Sequence, residues 1–460
     1  MNIHHTIAAI ATAMSPGGIG IVRISGEEAI SVADRVYRTK SGKKKLADQK
    51  SHTIHYGFIY DGDELIDEVM VSVMRAPRSY TAEDTVEINC HGGVLVTRRV
   101  LETVLKAGAA MAEPGEFTKR AFLNGRIDLS EAEAVMDLIG AKNEFARKAS
   151  VRQLRGSLYH AVKELRDGIL DVIAYIEAAL DDPEHMSLDG YQGEMRKNLE
   201  PVRSRVRTLI ESFHDGRILS EGIRTVILGK PNAGKSSLLN LFSGHERAIV
   251  TDVAGTTRDT LEEQLTIGGI GFLMIDTAGI HETEDTVEKI GVRKAKDAAK
   301  EADLILYVVD ASQPLDEDDR EIMKLLSGKK CVILVNKSDL EQKVSVEEIR
   351  GMQPEFPVLS ISAKTEEGLD CFKETVKKLF YRGELQMNDE VILSNARQKQ
   401  CMDEAYQSLN LVVDHLEEGI PEDLLTIDLM NAYESLGHVI GEEVEDDLVD
   451  RIFSKFCMGK

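Results

Sequence analysis

Residues 229–236 read Gly229-Lys230-Pro231-Asn232-Ala233-Gly234-Lys235-Ser236 and fit the pattern G-x-x-x-x-G-K-[ST]. An apolar and β-branched run, Thr225-Val226-Ile227-Leu228, precedes them, and Ser237-Leu238-Leu239-Asn240-Leu241-Phe242 follows as a helix start. A strand, a glycine-rich loop and a helix in this order form a phosphate-binding loop, because backbone N–H groups and the helix N-terminus converge on phosphate oxygens. We expect Lys235 to reach the β- and γ-phosphates, and the Ser236 hydroxyl to ligate Mg²⁺.

Length and composition set the broad class. A chain of 460 residues is too long for one hydrophobic core, so we expect two to four domains. Its net charge of −23 repels polyanions at long range, so any RNA contact needs a local basic patch. Five scattered cysteines indicate neither a disulfide framework nor a zinc site. Without a signal-peptide pattern or an apolar run of ~18 residues, a cytoplasmic protein without a membrane span is expected.

Hydrophobic periodicity divides the chain into four segments. Residues 1–118 have an α+β pattern, and residues 119–219 are helical. Over residues 220–380 strands and helices alternate, as in a doubly wound α/β domain with a mostly parallel sheet. Helices return over residues 381–460. The simplest fold class is therefore multidomain: an α+β N-terminal domain, and an all-α helical domain interrupted by an inserted α/β domain.

Helix signals give four local predictions. Ser130 and Glu133 are expected to form a capping box. A long apolar stripe beginning near Leu154 should end at Asp182-Pro183. A more polar helix should then run to about Phe213. The last helix is predicted to span residues 446–456.

A second motif indicates which nucleotide base the site binds. Asn336-Lys337-Ser338-Asp339 follows an apolar run, so it should lie at a strand's carboxyl end, where α/β folds bind ligands. It resembles the guanine-reading N-K-x-D motif of GTPases, whose Asp accepts hydrogen bonds that adenine cannot donate. Ser362-Ala363-Lys364 resembles the further guanine-contacting loop. Asp276-Thr277-Ala278-Gly279 resembles the motif that meets Mg²⁺ through water and the γ-phosphate through a glycine N–H. Four motifs in this order favour a GTPase over an ATPase.

Water activation must differ from that in Ras-like GTPases. A glutamine usually follows D-T-A-G and orients the attacking water, whereas this chain has Ile280, which cannot hydrogen-bond. Downstream carboxylates are the candidates for this role: Glu282, Glu284, Asp285 and Glu288.

The stretch Gly255-Thr256-Thr257-Arg258-Asp259 gives a further indication. Thr257 can ligate Mg²⁺, and with Asn232 the stretch resembles the potassium-dependent GTPases. In that group K⁺ replaces an arginine finger, held by Asn232 and by backbone oxygens of the preceding loop. The residues expected to bind GTP or K⁺ there are Thr251, Asp252, Val253, Ala254, Gly255, Thr256 and Thr257, with K⁺ on Thr251, Val253 and Thr256. Arg258 acting as a finger in cis remains the alternative.

The whole chain resembles the MnmE (TrmE) family of bacterial tRNA-modification GTPases. The resemblance rests on residues 20–26 (G-I-V-R-I-S-G), 91–93 (H-G-G), 114–118 (P-G-E-F-T), 120–124 (R-A-F-L-N), the inserted G domain with G-T-T-R-D, and the ending Phe456-Cys457-Met458-Gly459-Lys460. The family usually ends in F-C-I-G-K, and Met458 for Ile is a mild departure.

The resemblance implies the site residues of the N-terminal domain. That domain would be similar to the folate-binding fold of aminomethyltransferases, would dimerise, and would bind 5-formyl- or methylene-tetrahydrofolate as one-carbon donor. The folate contacts correspond to Arg23, Glu87, Arg126 and Lys460, with Arg126 in place of a lysine. In the G domain, Glu288 matches the catalytic glutamate that positions water, alongside Lys235 and Thr257.

The resemblance also implies a partner and a substrate. With the FAD-dependent flavoprotein MnmG, in a heterotetramer, the homodimer would add an aminomethyl or carboxymethylaminomethyl group to C5 of the wobble uridine in certain tRNAs. GTP hydrolysis would drive the conformational cycle. A ribosome-assembly or RNA-chaperone GTPase is the alternative function. For Cys457 we favour a small packed hydrophobe over a nucleophile.

Overall fold

A computed structural model describes residues 5–42, 44–141, 143–245, 263–275, 301–326, 328–380, 391–444 and 446–459. The strands are β1 (Ile7–Ile10), β2 (Ile19–Ser25), β3 (Tyr37–Arg38), β4 (Thr53–Asp61), β5 (Glu64–Met74), β6 (Thr85–His91), β7 (Ala110–Met111), β8 (Ile223–Gly229), β9 (Glu263–Ile267), β10 (Ile270–Met274), β11 (Leu304–Asp310), β12 (Cys331–Asn336) and β13 (Val358–Ser360). The helices described are α1 (Ala29–Val36), α2 (Val94–Lys106), α3 (Glu116–Leu123), α4 (Leu129–Gly140), α5 (Glu144–Gln153), α6 (Ser157–Asp181), α7 (Tyr191–Glu221), α8 (Lys235–His245), α9 (Glu317–Leu325), α10 (Val346–Met352), α11 (Leu369–Phe380), α12 (Ala396–Glu418), α13 (Glu422–Ile440) and α14 (Asp446–Phe453).

The chain forms two compact units. One comprises residues 1–136 with residues 436–460, and the other comprises residues 137–435. Among the helices that the structure describes, none has the length and apolar character needed to cross a membrane. The predicted boundaries of the four segments stay a prediction.

The first unit is built on a seven-stranded sheet in the order β3-β4-β5-β6-β2-β1-β7. Neighbouring strands are antiparallel except β1 and β7, which are parallel. Alternation along β5 buries Val69, Val71 and Val73 on one face, as the period of a half-buried strand requires. Residues of α1 and α2 join these valines in one hydrophobic core.

The predicted capping box of α4 is wrong by two residues. The helix begins at Leu129, and the Asp128 carboxylate accepts the Glu131 N–H at 3.0 Å. In return, Glu131 Oε2 accepts the Asp128 N–H at 2.9 Å. Ser130 lies inside the helix, where its hydroxyl donates to Asp128 Oδ1. Asp caps as well as Ser does, and the earlier start buries Leu129 completely.

The last helix is shorter than predicted. It ends at Phe453, not at residue 456, and the tail then turns so that the Phe453 and Phe456 rings lie 5.0 Å apart. Cys457 is therefore in the tail and is exposed. The prediction that Cys457 is a packed hydrophobe is wrong, because the amphipathic helix that would have buried it has already ended.

The second unit contains long helices and a second sheet. The apolar stripe beginning near Leu154 forms α6, which ends at Asp181 as expected. Helix α7 continues to Glu221, well beyond the predicted end at about Phe213, because Ile218 and Leu219 belong to the apolar core of the second sheet. Gly222 (φ +96°) follows the helix, and a Cβ there would lie 3.0 Å from the backbone of Gly271.

The second sheet has six strands in the order β13-β12-β11-β8-β10-β9. All neighbours are parallel except the antiparallel pair β9 and β10. The central strands β11 and β12 are almost wholly buried because core clusters cover both faces of the sheet. The carboxyl ends of β8, β12 and β13 meet at one edge, which brings their three following loops together. The predicted fold class is confirmed.

Candidate active site

The loop between β8 and α8 has a backbone that depends on glycine. Gly229 has φ +150°, and a Cβ there would come within 2.4 Å of the Val308 carbonyl oxygen. Gly234 has φ +97°, and a Cβ there would lie 2.1 Å from Asn336 Nδ2. Asn232 adopts φ +63°, a left-handed conformation that Asn tolerates. The loop therefore has the shape that lets backbone N–H groups approach phosphate oxygens.

Lys235 lies at the start of α8, and its side chain bonds to the backbone of the loop that precedes the helix. Its ammonium donates to the carbonyl oxygens of Gly229 at 2.8 Å and Lys230 at 2.7 Å. Burial lowers the pKa of this lysine. To reach the β- and γ-phosphates, the ammonium must exchange these carbonyls for phosphate oxygens. Ser236 and Ser237 are exposed in the first turn of α8, at the positive end of the helix dipole.

Asn336 joins three of the predicted motifs. Its Nδ2 donates to the carbonyl oxygen of Ala233 at 2.9 Å, and its Oδ1 accepts the N–H of Ala363 at 3.2 Å. The side chain is 1% exposed, so both hydrogen bonds are sheltered from water. Asn336 therefore ties the phosphate loop to the Ser362-Ala363-Lys364 loop.

Lys337 is oriented by a residue that sequence reasoning missed. Its ammonium lies 2.6 Å from Asp310 Oδ2. Burial opposes ionisation of Asp310, but hydrogen bonds from Lys337 and Ser312 outweigh it and lower the pKa of that carboxyl. Asp310 ends β11 directly beside Asn336 in the parallel register. An acidic residue ending the neighbouring strand was the available signal.

Asp339 is exposed and is held by Ser362. The Ser362 hydroxyl, fully buried, donates to Asp339 Oδ1 at 2.8 Å, so the carboxylate has a fixed direction. A carboxylate placed this way can accept two N–H donors of a guanine ring. A groove is lined by Ser237, Asn240, Leu241, Gly244 and Glu366, together with Ala363 and Lys364, the two residues that follow Ser362.

Several predicted residues lie outside the described residues. They are Thr251, Asp252, Val253, Ala254, Gly255, Thr256, Thr257, Arg258, Asp276, Thr277, Ala278, Gly279, Ile280, Glu282, Glu284, Asp285, Glu288 and Lys460. The described Ile275 precedes Asp276, and its N–H donates to the Thr225 carbonyl of β8 at 2.9 Å. Ile275, just after β10, therefore lies beside the strand that leads into the phosphate loop.

A second cluster of charged residues lies in the first unit. Arg23 on β2 faces Glu87 on β6 in the strand register, and Arg23 Nη2 lies 2.8 Å from Glu87 Oε1. Arg23 Nη1 also donates to the carbonyl oxygen of Gly459 at 3.4 Å. The structure thus brings together two of the predicted contacts and the residue that precedes Lys460.

An aromatic ring completes this cluster. The Arg23 guanidinium lies 5.3 Å from the centroid of the Tyr80 ring, and the Arg126 guanidinium lies 4.9 Å from it. The Tyr80 hydroxyl is 2.9 Å from Thr118 Oγ1. Two guanidiniums, a carboxylate and a ring suit a ligand that carries both carboxylates and a flat heterocycle. Tyr80 was missed by sequence reasoning, because it lies in none of the motifs.

Comparison with known proteins identifies the family of the chain. The family description "MnmE helical domain" matches residues 129–457, and "GTP-binding protein TrmE N-terminus" matches residues 6–126. The tRNA modification GTPase MnmE of Lachnoclostridium phytofermentans is 55% identical over 455 residues, covering 99% of each chain. This chain belongs to the MnmE family. The protein of the same name from Staphylococcus epidermidis is 46% identical over 458 residues, again 99% of each chain.

Membership of the MnmE family confirms the prediction of a GTPase that acts in tRNA modification. A solved structure, the G domain of the T. maritima FeoB iron transporter, covers 34% of this chain and 97% of its own length at 25% identity, with a TM-score of 0.26. Because this superposition is loose, the family assignment rests on the full-length MnmE relatives.

Proposed function

We propose that this MnmE-family GTPase uses a tetrahydrofolate one-carbon donor and a flavoprotein partner of the MnmG type to modify C5 of the wobble uridine in tRNA. The observation that carries the proposal is the cluster of Arg23, Glu87, Tyr80 and Arg126 in a chain that also carries a nucleotide site. The proposed product is an aminomethyl or carboxymethylaminomethyl group, and the proposed location is the cytoplasm. Wobble uridine analysis in cells lacking the protein tests it, and an unchanged nucleoside would contradict it.

The proposed donor is 5-formyl- or methylene-tetrahydrofolate. Arginine binds the glutamate carboxylates of such a ligand in a bidentate manner, and Glu87 can accept from its pterin N–H groups. Arg23, Glu87, Arg126 and Lys460 are the proposed contacts. Titration with 5-formyl-tetrahydrofolate should show binding that is lost in Arg23→Gln. Arg38→Gln, which removes an arginine from the Tyr60 ring elsewhere in the unit, is the control and should bind normally.

Folate binding also separates this function from ribosome assembly. A ribosome-assembly or RNA-chaperone GTPase has no need of a one-carbon donor. If the full chain fails to bind 5-formyl-tetrahydrofolate while it still hydrolyses GTP, the alternative function is favoured.

The proposed cations are Mg²⁺ and K⁺ beside the phosphate loop. Ser236 and Thr257 would ligate Mg²⁺. The exposed amide of Asn232 and backbone oxygens of Thr251, Val253 and Thr256 would hold K⁺. A monovalent cation there offsets negative charge that develops during hydrolysis.

GTP turnover in KCl and in NaCl at equal ionic strength tests the K⁺ proposal. Equal rates in the two salts would remove the potassium requirement. If Arg258→Ala abolishes turnover in both salts, the finger alternative is the better account.

Glu288 is proposed to position the attacking water, since Ile280 offers no hydrogen-bonding group. Glu288→Ala should bind GTP normally and hydrolyse it about 100-fold more slowly, as loss of a general base or water-positioning group does. Glu282→Ala, at another of the candidate carboxylates, should hydrolyse GTP at the parent rate. Wild-type turnover in Glu288→Ala would remove the assignment.

The proposed assembly is a homodimer through the first unit, joined by the FAD-dependent MnmG-type partner in a heterotetramer. The support is an apolar sheet face on which Ile54, Tyr56 and Met70 are 62%, 50% and 49% exposed. Tyr56 and Met70 are cross-strand neighbours, so they form one patch. Tyr56→Glu should give a monomer by light scattering. Met111→Glu, at an equally exposed methionine on β7, should remain a dimer; a dimeric Tyr56→Glu would contradict this interface.

A further inference from the structure

Lys230 connects the phosphate loop to α9. It follows Gly229, and its ammonium lies 2.6 Å from Asp316 Oδ2 and 2.7 Å from Asp319 Oδ2. The Asp319 side chain is only 3% exposed, so this ion pair is partly sheltered from solvent. Lys230 occupies a variable position of the phosphate-loop motif, and the two aspartates lie in none of the nucleotide motifs.

The two aspartates are fixed by their own partners. Asp316 caps α9 by accepting the Asp319 N–H, and Asp319 accepts the Asp316 N–H in return. The hydroxyl of Tyr307, a fully buried residue of β11, donates to Asp319 Oδ1 at 2.8 Å. Burial and the charge of Asp319 raise the pKa of Tyr307, which keeps the hydroxyl a donor. Lys230 therefore binds a rigid acceptor that belongs to a helix and a central strand.

The main chain of Lys230 touches the catalytic lysine. Its carbonyl oxygen accepts from Lys235 Nζ at 2.7 Å, next to the carbonyl of Gly229 at 2.8 Å. Lys230 is thus fixed at two points. Its ammonium is paired with α9, and its carbonyl oxygen accepts from Lys235. If the side chain were released, the direction of this carbonyl would no longer be set from outside the loop.

We propose that Lys230 is a positioning residue for GTP binding. Its ion pair with Asp316 and Asp319 holds the phosphate loop in the conformation that accepts the nucleotide. The same ion pair offsets part of the negative charge of two carboxylates that would otherwise repel the triphosphate. The inference needs only the GTPase activity of the family, so it stands apart from the folate and potassium proposals.

Steady-state GTP hydrolysis by the full chain tests the role of Lys230. Lys230→Gln should raise KM for GTP about tenfold and change kcat by less than about threefold. The phosphate loop would bind the nucleotide less tightly, while the groups that react are retained. Lys230→Arg keeps the charge and should return KM to within about threefold of the parent. Lys377→Gln removes the Lys377–Glu374 ion pair on α11 and should leave both constants unchanged. An unchanged KM in Lys230→Gln would overturn the proposal.

A second variant separates positioning from general destabilisation. Asp316→Asn keeps an excellent N-cap but removes one charge of the ion pair, so α9 should stay intact while KM rises about threefold. The double variant Lys230→Gln/Asp316→Asn should be no worse than Lys230→Gln alone, because both changes break one interaction. Fully additive effects would overturn the proposal. If Lys230→Gln does not fold, an unchanged KM in Asp316→Asn would have the same consequence.

Discussion

Asn336 Nδ2 donates a 2.9 Å hydrogen bond to the carbonyl oxygen of Ala233, although 103 residues separate the two along the chain. The guanine motif therefore supports the phosphate loop directly, in addition to any contact with the base. Because the bond is buried, its loss leaves the Ala233 carbonyl without a partner in a dry environment. A change at Asn336 should thus affect phosphate binding as well as the choice of base.

Asn336→Ala should weaken GDP and GTP about equally, by tenfold or more, and lower the free energy of unfolding by about 2 kcal/mol, since two buried groups lose their partners. Nucleotide titration and thermal unfolding measure the two effects. Asn431→Ala, at an exposed asparagine on α13, is the control and should change neither. Normal binding of both nucleotides by Asn336→Ala would show that the bond to Ala233 is dispensable.

Gly234→Ala should abolish nucleotide binding. The added Cβ would lie 2.1 Å from Asn336 Nδ2 at a residue whose φ is +97°, so the loop must shift. Gly351→Ala makes the same change within α10, where nothing lies within 4 Å of the new Cβ. That control should bind normally and gain up to about 1 kcal/mol of stability from better helix propensity. Equal binding by the two variants would contradict the steric argument.

Short-range chemistry was predictable from sequence, and long-range partners were not. The strand, loop and helix around Lys235 were expected because glycine spacing and apolar runs act locally. The ion pair of Lys230 with Asp316 and the cation–π contacts of Tyr80 with two arginines depend on packing between distant segments, which no motif encodes. The misplaced capping box has a different cause, since Asp128 and Ser130 are both good N-caps and only the burial of Leu129 decides between them.

Asp339→Asn should exchange guanine for xanthine preference. The Ser362 hydroxyl aims the Asp339 carboxylate, and an amide there can accept only one of the two guanine N–H donors while it offers a donor to the xanthine 2-oxo group. Competition between GDP and XDP for the variant measures the change. We expect GDP affinity to fall by about 100-fold or more. A variant that still prefers GDP would show that Asp339 does not read the base.

The stability of the first unit should depend on pH through an ion pair between His91 and Asp67. The hydrogen bond from His91 Nδ1 to Asp67 Oδ1, 2.7 Å long, and the carboxylate charge raise the pKa of His91 above its usual 6.5. The protonated imidazole is thus favoured in the folded state. Its contribution to stability is fully present below pH 6.5 and is lost as pH rises through the folded-state pKa.

Asp67→Asn should lower the pKa of His91, as an NMR titration of the imidazole would measure. The stability difference between parent and variant should also shrink as the pH rises above 6.5 through the folded-state pKa, because the imidazole becomes neutral in both. A difference that is constant over this range would mean that the pair is not an ion pair in solution.

Tyr80 should be a binding residue for the proposed folate ligand. Its ring lies between Arg23 and Arg126, at 5.3 Å and 4.9 Å from the two guanidiniums, so it holds both cations where they can meet carboxylates. Removal of the ring takes away the contact that the two guanidiniums share, although Arg23 remains paired with Glu87. The hydroxyl contributes only the contact with Thr118 Oγ1, so phenylalanine keeps the part of the side chain that matters.

Calorimetric titration with 5-formyl-tetrahydrofolate distinguishes the ring from the hydroxyl. Tyr80→Leu should raise Kd about five- to tenfold, the effect of losing cation–π contacts at a partly desolvated site, whereas Tyr80→Phe should stay within about twofold of the parent. Tyr60→Leu removes the ring beneath Arg38, 4.5 Å from its guanidinium and outside the cluster, and should bind like the parent. A weakened Tyr60→Leu would reveal a general effect on the unit. Parent-like binding by Tyr80→Leu would mean that the arginines reach the ligand without the ring.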